Sequence, residues 1–224
     1  MKAIALSLLL ALSEFCFATD DVMAVGEWSA PVRSSGSGPG SSGTIRGRLM
    51  LAESPRPTTN KNWRDVAVYL ELQECDEARG RTLEVYCNLG PTVTLSGHLD
   101  AQGKDRVVKA AAIWEMQDAS GKLVPKSPGA YGGGAPGASW VTLPSDSTVR
   151  LRASVYGGGK SKDGSLTIFF LSNCWVIPPH STNDYYLSCT FTVDPPSNHV
   201  TQPDHKVWQG TLNLPKLKIP VQGP

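Results

Sequence analysis

The chain has 224 residues and a formal net charge of +1, from 21 lysine and arginine residues against 20 aspartate and glutamate residues. This balance leaves no electrostatic footprint for nucleic acid or an anionic membrane, so neither is expected as a partner. Glycine and proline contribute 22 and 17 residues, above their usual combined share of about 12%. That excess favours many turns over long helices and is typical of a β protein.

The first eighteen residues have the features of a secretory signal peptide. Lys2 supplies a positive charge, residues 3–12 form an almost unbroken apolar run, and the small residue Ala18 ends the segment. The run is too short to cross a bilayer permanently, because a membrane helix needs about 20 apolar residues. We therefore expect cleavage between Ala18 and Thr19. The remaining chain has no membrane span and is predicted to be secreted to the extracellular space, the periplasm or the cell envelope.

Removal of the signal peptide would also change the cysteine count from five to four, because Cys16 would be lost. Lipid attachment to Cys16 is the alternative, which Phe15 disfavours because it stands where glycine or alanine is expected. An even number of cysteines in an exported chain predicts two disulfides, whereas zinc sites need closely spaced ligand pairs. The four candidates are Cys75, Cys87, Cys174 and Cys189. The spacing leaves open a bridge across the core, Cys87–Cys189, or two local bridges, Cys75–Cys87 and Cys174–Cys189.

The predicted domain boundary lies at residue 44. Residues 19–43 are expected to form a flexible tail and linker, because residues 34–43 read SSGSGPGSSG and contain no apolar side chain to bury. From residue 44 onward, short apolar alternations are separated by turn residues. A single folded domain is therefore predicted for residues 44–221.

Apolar and polar residues alternate in short runs through this domain, which is the period of a half-buried strand. The apolar faces of the clearest runs are Ile45, Leu49 and Leu51; Val66, Val68, Leu70 and Leu72; Val149, Leu151, Ala153 and Val155; and Tyr185, Leu187, Cys189, Phe191 and Val193. The opposite faces of the first three runs carry Arg46, Arg48 and Met50; Tyr69, Glu71 and Gln73; and Arg150, Arg152 and Ser154. These runs predict an all-β fold, an immunoglobulin-like β-sandwich of about nine short, mainly antiparallel strands, with a sheet closed on itself as the alternative.

One segment, residues 107–117, contains three consecutive alanines and would also suit a helix. Trp114 and Met116 nevertheless keep the alternation of a strand, and turn residues flank the segment on both sides. We predict a strand here, followed by a turn over residues 118–122.

The sequence contains no complete catalytic or metal-binding motif. Residues 157–161 read GGGKS, like the end of a phosphate-binding loop, but Ser154 stands where that motif requires glycine. A hairpin loop is the better interpretation. His199 and His205, with Asp204 adjacent to the second, could hold a metal, although solvated polar residues are more common in such loops. We predict no catalytic, cofactor-binding or metal-binding residue.

Strand carboxylates and aromatic residues are the remaining candidates for chemistry. A carboxylate pair for glycoside hydrolysis is assembled in space and cannot be identified from spacing, and outward-facing strand carboxylates are expected to be solvated. The carboxylates concerned are Glu71, Glu84 and Glu115. The six tryptophans are spread evenly, which suits core packing. An exposed aromatic group for carbohydrate or a protein partner is most expected near Tyr131, near Tyr156 or within residues 175–179.

Several stretches resemble a group of uncharacterised secreted bacterial proteins with an immunoglobulin-like sandwich. These stretches, which thread most of residues 44–221, are Val68–Leu72, Leu143–Thr148, Tyr185–Ser188 and Leu214–Val221. More distantly, the chain is similar to the intracellular proteinase inhibitor domain, which is itself a β-sandwich. The resemblance implies the sandwich fold and carries no site residue with it.

The expected function is that of a secreted, non-enzymatic binding or cell-envelope interaction module without a cofactor. Its partner would be an unknown protein or carbohydrate ligand. The alternative is a secreted hydrolase or proteinase inhibitor whose site residues lie on loops. A concave cleft with converging titratable side chains would favour that alternative.

Overall fold

Every regular element in the described part of the chain is a β-strand. The computed structural model describes residues 21–36, 43–53, 63–76, 82–87, 89, 93–99, 105–108, 111–127, 139–145, 147–171, 173–179, 181, 184–193 and 205–220. The strands are β1 Val22–Val25, β2 Val32–Arg33, β3 Thr44–Glu53, β4 Trp63–Glu74, β5 Thr82–Cys87, β6 Val93–Leu99, β7 Asp105–Val108, β8 Ala111–Asp118, β9 Ser139–Leu143, β10 Thr148–Lys160, β11 Leu166–Phe170, β12 Asn173–Ile177, β13 Tyr185–Val193, β14 His205–Trp208 and β15 Gly210–Ile219. The predicted all-β class is therefore confirmed.

The fifteen strands exceed the nine or so that the alternation indicated. They form one large sheet in the order β1-β3-β4-β10-β11-β12, with β2 also paired to β3, and three smaller sheets, β15-β13-β8, β14-β5-β9 and β6-β7. The large sheet is open, with β1 and β12 at its two ends. Pairing is antiparallel except between β5 and β14, which run parallel, so the predicted antiparallel character is confirmed.

The hydrophobic core lies between the large sheet and the sheet β15-β13-β8. Trp114 of β8 meets Phe170 of β11 edge-on, with ring centroids 4.8 Å apart. On the other side of the core β15 lies over β3, where Gly47 leaves so little room that an added Cβ would stand 2.8 Å from Leu214 Cδ2. The main core continues through β5 and β9, whose Leu83 and Leu143 are fully buried.

Part of the predicted flexible tail belongs to the fold. Within residues 19–43, β1 and β2 both pair with β3. The backbone N–H of Ser35 donates to the Gln209 carbonyl at 2.8 Å, and the Gln209 N–H donates to Ser34 Oγ at 3.0 Å. The described start of the Ser/Gly segment is thus fixed to the residue between β14 and β15. Residues 37–42, the predicted signal peptide over residues 1–18 and the Ala18–Thr19 cleavage site lie outside the described residues.

Two local predictions have different outcomes. The turn after β8 is confirmed, because Asp118 Oδ1 accepts hydrogen bonds from the Ser120 and Lys122 N–H groups at 2.9 and 3.0 Å.

The interpretation of the glycine-rich stretch as a hairpin loop is wrong. Gly157–Lys160 is the end of β10, where it pairs with β11 on one side, and Gly157–Gly159 pairs with β4 on the other. Glycine is disfavoured inside strands, so composition favours a loop here, and the pairing on both sides overrides that preference.

Two glycines with positive φ allow a test of the packing around the end of the Ser/Gly segment. Gly43 has a φ of +102°, and an added Cβ would lie 2.7 Å from Leu83 Cδ1. Gly121 has a φ of +85° with open space around its Cα. We expect Gly43→Ala to lower the free energy of unfolding by about 2–4 kcal/mol, because conformational strain and overpacking add. Gly121→Ala, which adds strain alone, should cost about 1–2 kcal/mol. Equal losses in urea denaturation would contradict the contact with Leu83.

Candidate functional site

The outer face of the large sheet, opposite the core, carries a group of arginine side chains. One set of alternate residues of β3, β4 and β10, which includes Leu49, Leu70 and Leu151, faces the main core. The other set forms this outer face. Pairing arranges them in rows across the sheet. Three consecutive rows are Arg46–Gln73–Thr148, Arg48–Glu71–Arg150 and Met50–Tyr69–Arg152. We call these nine residues, together with Trp28, the arginine face.

Glu71 stands at the centre of the middle row and joins two arginines from different strands. Its Oε2 accepts a hydrogen bond from Arg48 Nε at 2.7 Å. Its Oε1 lies 2.9 Å from Arg150 Nε and 2.8 Å from an Arg150 terminal amine. The Glu71 side chain is only 3% exposed, while Arg48 and Arg150 are 27% and 47% exposed. Glu71 is therefore a buried carboxylate held by two arginines, and the arginine side chains are themselves still partly exposed to water.

Trp28 stacks with the two arginines of β3. Its ring centroid is 4.8 Å from Arg46 Cζ and 4.3 Å from Arg48 Cζ. Arg46 also donates through Nε to Gln73 Oε1 at 2.8 Å. Both arginines are thus held at Nε and stacked on an aromatic ring.

The third row rests on a small apolar cluster separate from the main core. Met50 and Tyr69 are buried together with Ala52 and Ala67 on this side of the sheet. Arg150 Cζ lies 5.8 Å from the Tyr69 ring centroid, within the range of a cation–π contact. Met50 and Tyr69 are therefore covered, and Arg152 is the exposed residue of this row.

The face carries an excess of positive charge. Its four arginines and one glutamate sum to three positive charges, whereas the whole chain carries only +1. Glu71 already accepts hydrogen bonds from two guanidinium groups, one on each carboxylate oxygen. Planar guanidinium groups bind carboxylate, sulfate or phosphate oxygens. The arrangement is therefore suited to anion binding.

Sequence reasoning placed the side chains of this face correctly but missed their association. The prediction that Glu71 would be solvated is wrong, because its neighbours in the row exclude water from it. Glu84 and Glu115 are half-buried in β5 and β8. Trp28 was assigned to the flexible tail, and no signal in the sequence indicated that this tail pairs with β3.

The tryptophans follow the core-packing prediction in part. Trp114, Trp175 and Trp208 are buried, whereas Trp140 is half-buried and meets Tyr86 with ring centroids 5.2 Å apart. Of the segments expected to expose aromatic residues, 175–179 instead buries Trp175 and exposes Val176. The other two places where exposed aromatic residues are expected, Tyr131 and the Tyr156 side chain, lie outside the part of the chain that the structure describes. The side chains of the possible metal ligands His199, Asp204 and His205 lie outside it as well. In the described residues no cluster of histidine, cysteine or acidic side chains could hold a metal.

The two predicted disulfides are not formed in the structure. Cys75, Cys87, Cys174 and Cys189 are all free cysteines. Cys75 follows β4 and Cys174 lies in β12, whereas Cys87 and Cys189 lie in β5 and β13, so each proposed pair would have to join two different sheets. Burial raises the pKa of Cys87 to about 12 and raises the pKa of Cys189 as well. These two thiols are therefore protonated and unreactive at neutral pH.

Within the described residues no helix is long and apolar enough to cross a membrane.

The contacts in the row Arg48–Glu71–Arg150 lead to a prediction for the loss of the Glu71 charge. Glu71→Gln keeps the shape but removes the charge that both arginines share, so we expect the free energy of unfolding to fall by about 1–3 kcal/mol. The matched variant Glu115→Gln lies in β8, away from the row, and should change stability by at most about 0.5 kcal/mol. Urea denaturation measures both. Equal stability of the two variants would show that the row contributes nothing.

Thiol labelling tests the state of the cysteines. We expect iodoacetamide at pH 8 to label Cys75 first in the folded protein, because it is only half-buried. Cys87 and Cys189 should become labelled only after unfolding. Mass spectrometric mapping of each peptide gives the result. If any of the four stays unlabelled in unfolded, unreduced protein, a disulfide is present and the free-thiol description is wrong.

Comparison with known proteins gives no match: no family model, no curated protein and no solved structure is significantly similar to this chain.

Proposed function

We propose that this chain is an exported, non-enzymatic binding module built on an immunoglobulin-like β-sandwich, acting outside the cell or in the cell envelope. Its binding surface is the arginine face, and its ligand carries negative charge. The observation that carries this proposal is the pair Arg46 and Arg48, whose guanidinium groups are held at Nε and stacked on Trp28 while both side chains remain partly exposed.

The charge balance of the face supports a binding role over a purely structural one. To fix neighbouring strands, one arginine for each carboxylate is sufficient. Here Glu71 already has two arginines, while the hydrogen-bond partner of the Arg46 side chain in its row is the neutral Gln73. Arg152 extends the positive charge beyond the row, opposite Tyr69. Like charges so close together repel, so their accumulation is best explained by a ligand that neutralises them.

The predicted alternative, a hydrolase or proteinase inhibitor, has no support from this face. Acid–base catalysis needs a titratable group whose proton can move during the reaction. Glu71 is the carboxylate of the arginine face, and it is buried with both oxygens hydrogen-bonded to arginines, so it is not placed to exchange a proton with a substrate. The binding role therefore needs fewer assumptions, and turnover of a generic glycoside, ester or peptide substrate by the purified chain would contradict it.

Retention on a sulfonate cation-exchange resin at pH 7 tests the binding surface. The variant Arg46→Gln/Arg152→Gln removes two charges without touching the Glu71 contacts, so it should fold normally and elute at lower NaCl concentration than the wild type. The control Lys122→Gln/Lys162→Gln removes two charges from exposed turns and should elute close to the wild type. Equal elution of the two variants would contradict the proposal, because only net charge would then matter.

A further inference from the structure

Building on the proposed function, we propose that the ligand of the arginine face is an acidic polysaccharide, bound through its carboxylate or sulfate groups. Three features of the molecule lead to this class: the anchored guanidinium groups, their spacing on the sheet, and the apolar border beside them. Together they favour a stiff, repeating, charged chain over other anions.

The guanidinium groups are prepared for oxygen anions before any ligand arrives. Arg46 and Arg48 use Nε for Gln73 and Glu71, and Trp28 restricts the rotation of both side chains. A ligand therefore loses less free energy to the ordering of these side chains than it would on a surface of mobile lysines. Two parallel N–H donors on each terminal edge match the oxygens of carboxylate or sulfate.

The arginines repeat at regular intervals along two strands. Arg46 and Arg48 are two residues apart on β3, as are Arg150 and Arg152 on β10, which spaces their Cα atoms by roughly 7 Å. Because β4 lies between these strands, the two pairs are separated by roughly 10 Å across the sheet. Several positive groups thus lie on one side of three neighbouring strands, which fits a polymer with an anion on successive units.

An apolar border adjoins the charged rows. Val25 is paired with Met50 and Val22 with Ala52, so both valines belong to the outer side of the sheet. They are 47% and 52% exposed. Sugar rings have apolar C–H faces as well as polar edges, and these faces pack on such side chains and on aromatic rings such as Trp28. A small inorganic anion would use the arginines but would leave this border uncovered.

Two other polyanions fit the face less well. Nucleic-acid-binding domains are commonly basic, with isoelectric points above about 9, whereas this chain has one of about 7.6. An acidic peptide gains much of its affinity on β proteins by adding a strand to a sheet edge. The backbones of β3, β4 and β10 are already paired on both sides, so a peptide would have side-chain contacts alone and would lose more conformational entropy than a stiff glycan.

Isothermal titration of the full chain tests the inference with defined polymers. Polygalacturonate supplies carboxylates and dextran sulfate supplies sulfates, while neutral dextran, poly-L-glutamate and single-stranded DNA are the comparisons. We expect at least one of the two acidic polysaccharides to bind, and Arg46→Gln/Arg152→Gln to weaken that binding by about tenfold or more. The control Lys122→Gln/Lys162→Gln should weaken it by less than about threefold, and neutral dextran should not bind.

The outcomes separate this inference from the proposed function. If poly-L-glutamate or DNA binds as tightly as the acidic polysaccharides and with the same dependence on Arg46 and Arg152, the ligand class is wrong but the binding surface is right. If no polymer binds in a way that depends on these arginines, both the ligand class and the binding surface are wrong. The relative affinities of polygalacturonate and dextran sulfate decide between carboxylate and sulfate recognition.

Discussion

The packing of β15 over β3 determines which face of the large sheet is available for chemistry. Side chains alternate along a strand, so the contact between Leu214 and the backbone at Gly47 commits the odd-numbered positions of β3 to the core. Shifting the strand by one residue would turn Arg46 and Arg48 inward and Leu49 outward. Burying unpaired guanidinium groups costs several kcal/mol each, which makes that register inaccessible. The arginine face is thus a consequence of the core.

The row Arg48–Glu71–Arg150 positions the side chains of the arginine face more than it stabilises the fold. Burial of each large apolar side chain contributes about 1.5–3 kcal/mol, and the core contains many of them. The Glu71 ion pairs involve arginines that remain 27% and 47% exposed, so water screens them and their net contribution is modest. Their specific effect is to hold three strands in register and to fix two guanidinium groups at Nε.

The apolar alternation was enough to predict the all-β fold class. It also assigned the residues of β3, β4 and β10 to the two faces of their strands. It could not predict the rows, because these depend on which strands pair. Arg150 reaches Glu71 across 79 positions of sequence, and the register of β10 against β4 shifts between Arg152 and Ser154. No local pattern encodes either fact. The burial of Glu71 follows from those long-range contacts, which is why it was expected to be solvated.

The predictions of a flexible tail over residues 19–43 and of two disulfides both depend on composition and counts, which do not indicate which residues pair or approach each other. Pairing to β3 is made by strands of only four and two residues, β1 and β2, too short for a period to be recognised. The sequence therefore predicts a tail for this segment, which includes Trp28, whereas the structure pairs it with β3. The even number of cysteines was a statistical argument for disulfides. It carried no information on whether Cys87 and Cys189, each on a buried strand face, can approach each other.

Net charge is a poor guide to the chemistry of such a surface, because electrostatic recognition is local. The Debye length at physiological ionic strength is about 8 Å, comparable with the spacing of the arginines on β3 and β10. Those charges therefore act together on an anion at the sheet, while acidic groups elsewhere on the chain are largely screened. A protein of net charge +1 does not attract polyanions over long distances. A local group of arginines can nevertheless bind a polyanion that has reached the surface. Such binding depends on the fixed positions of Arg46 and Arg48, and hence on Glu71, Gln73 and Trp28, which hold them.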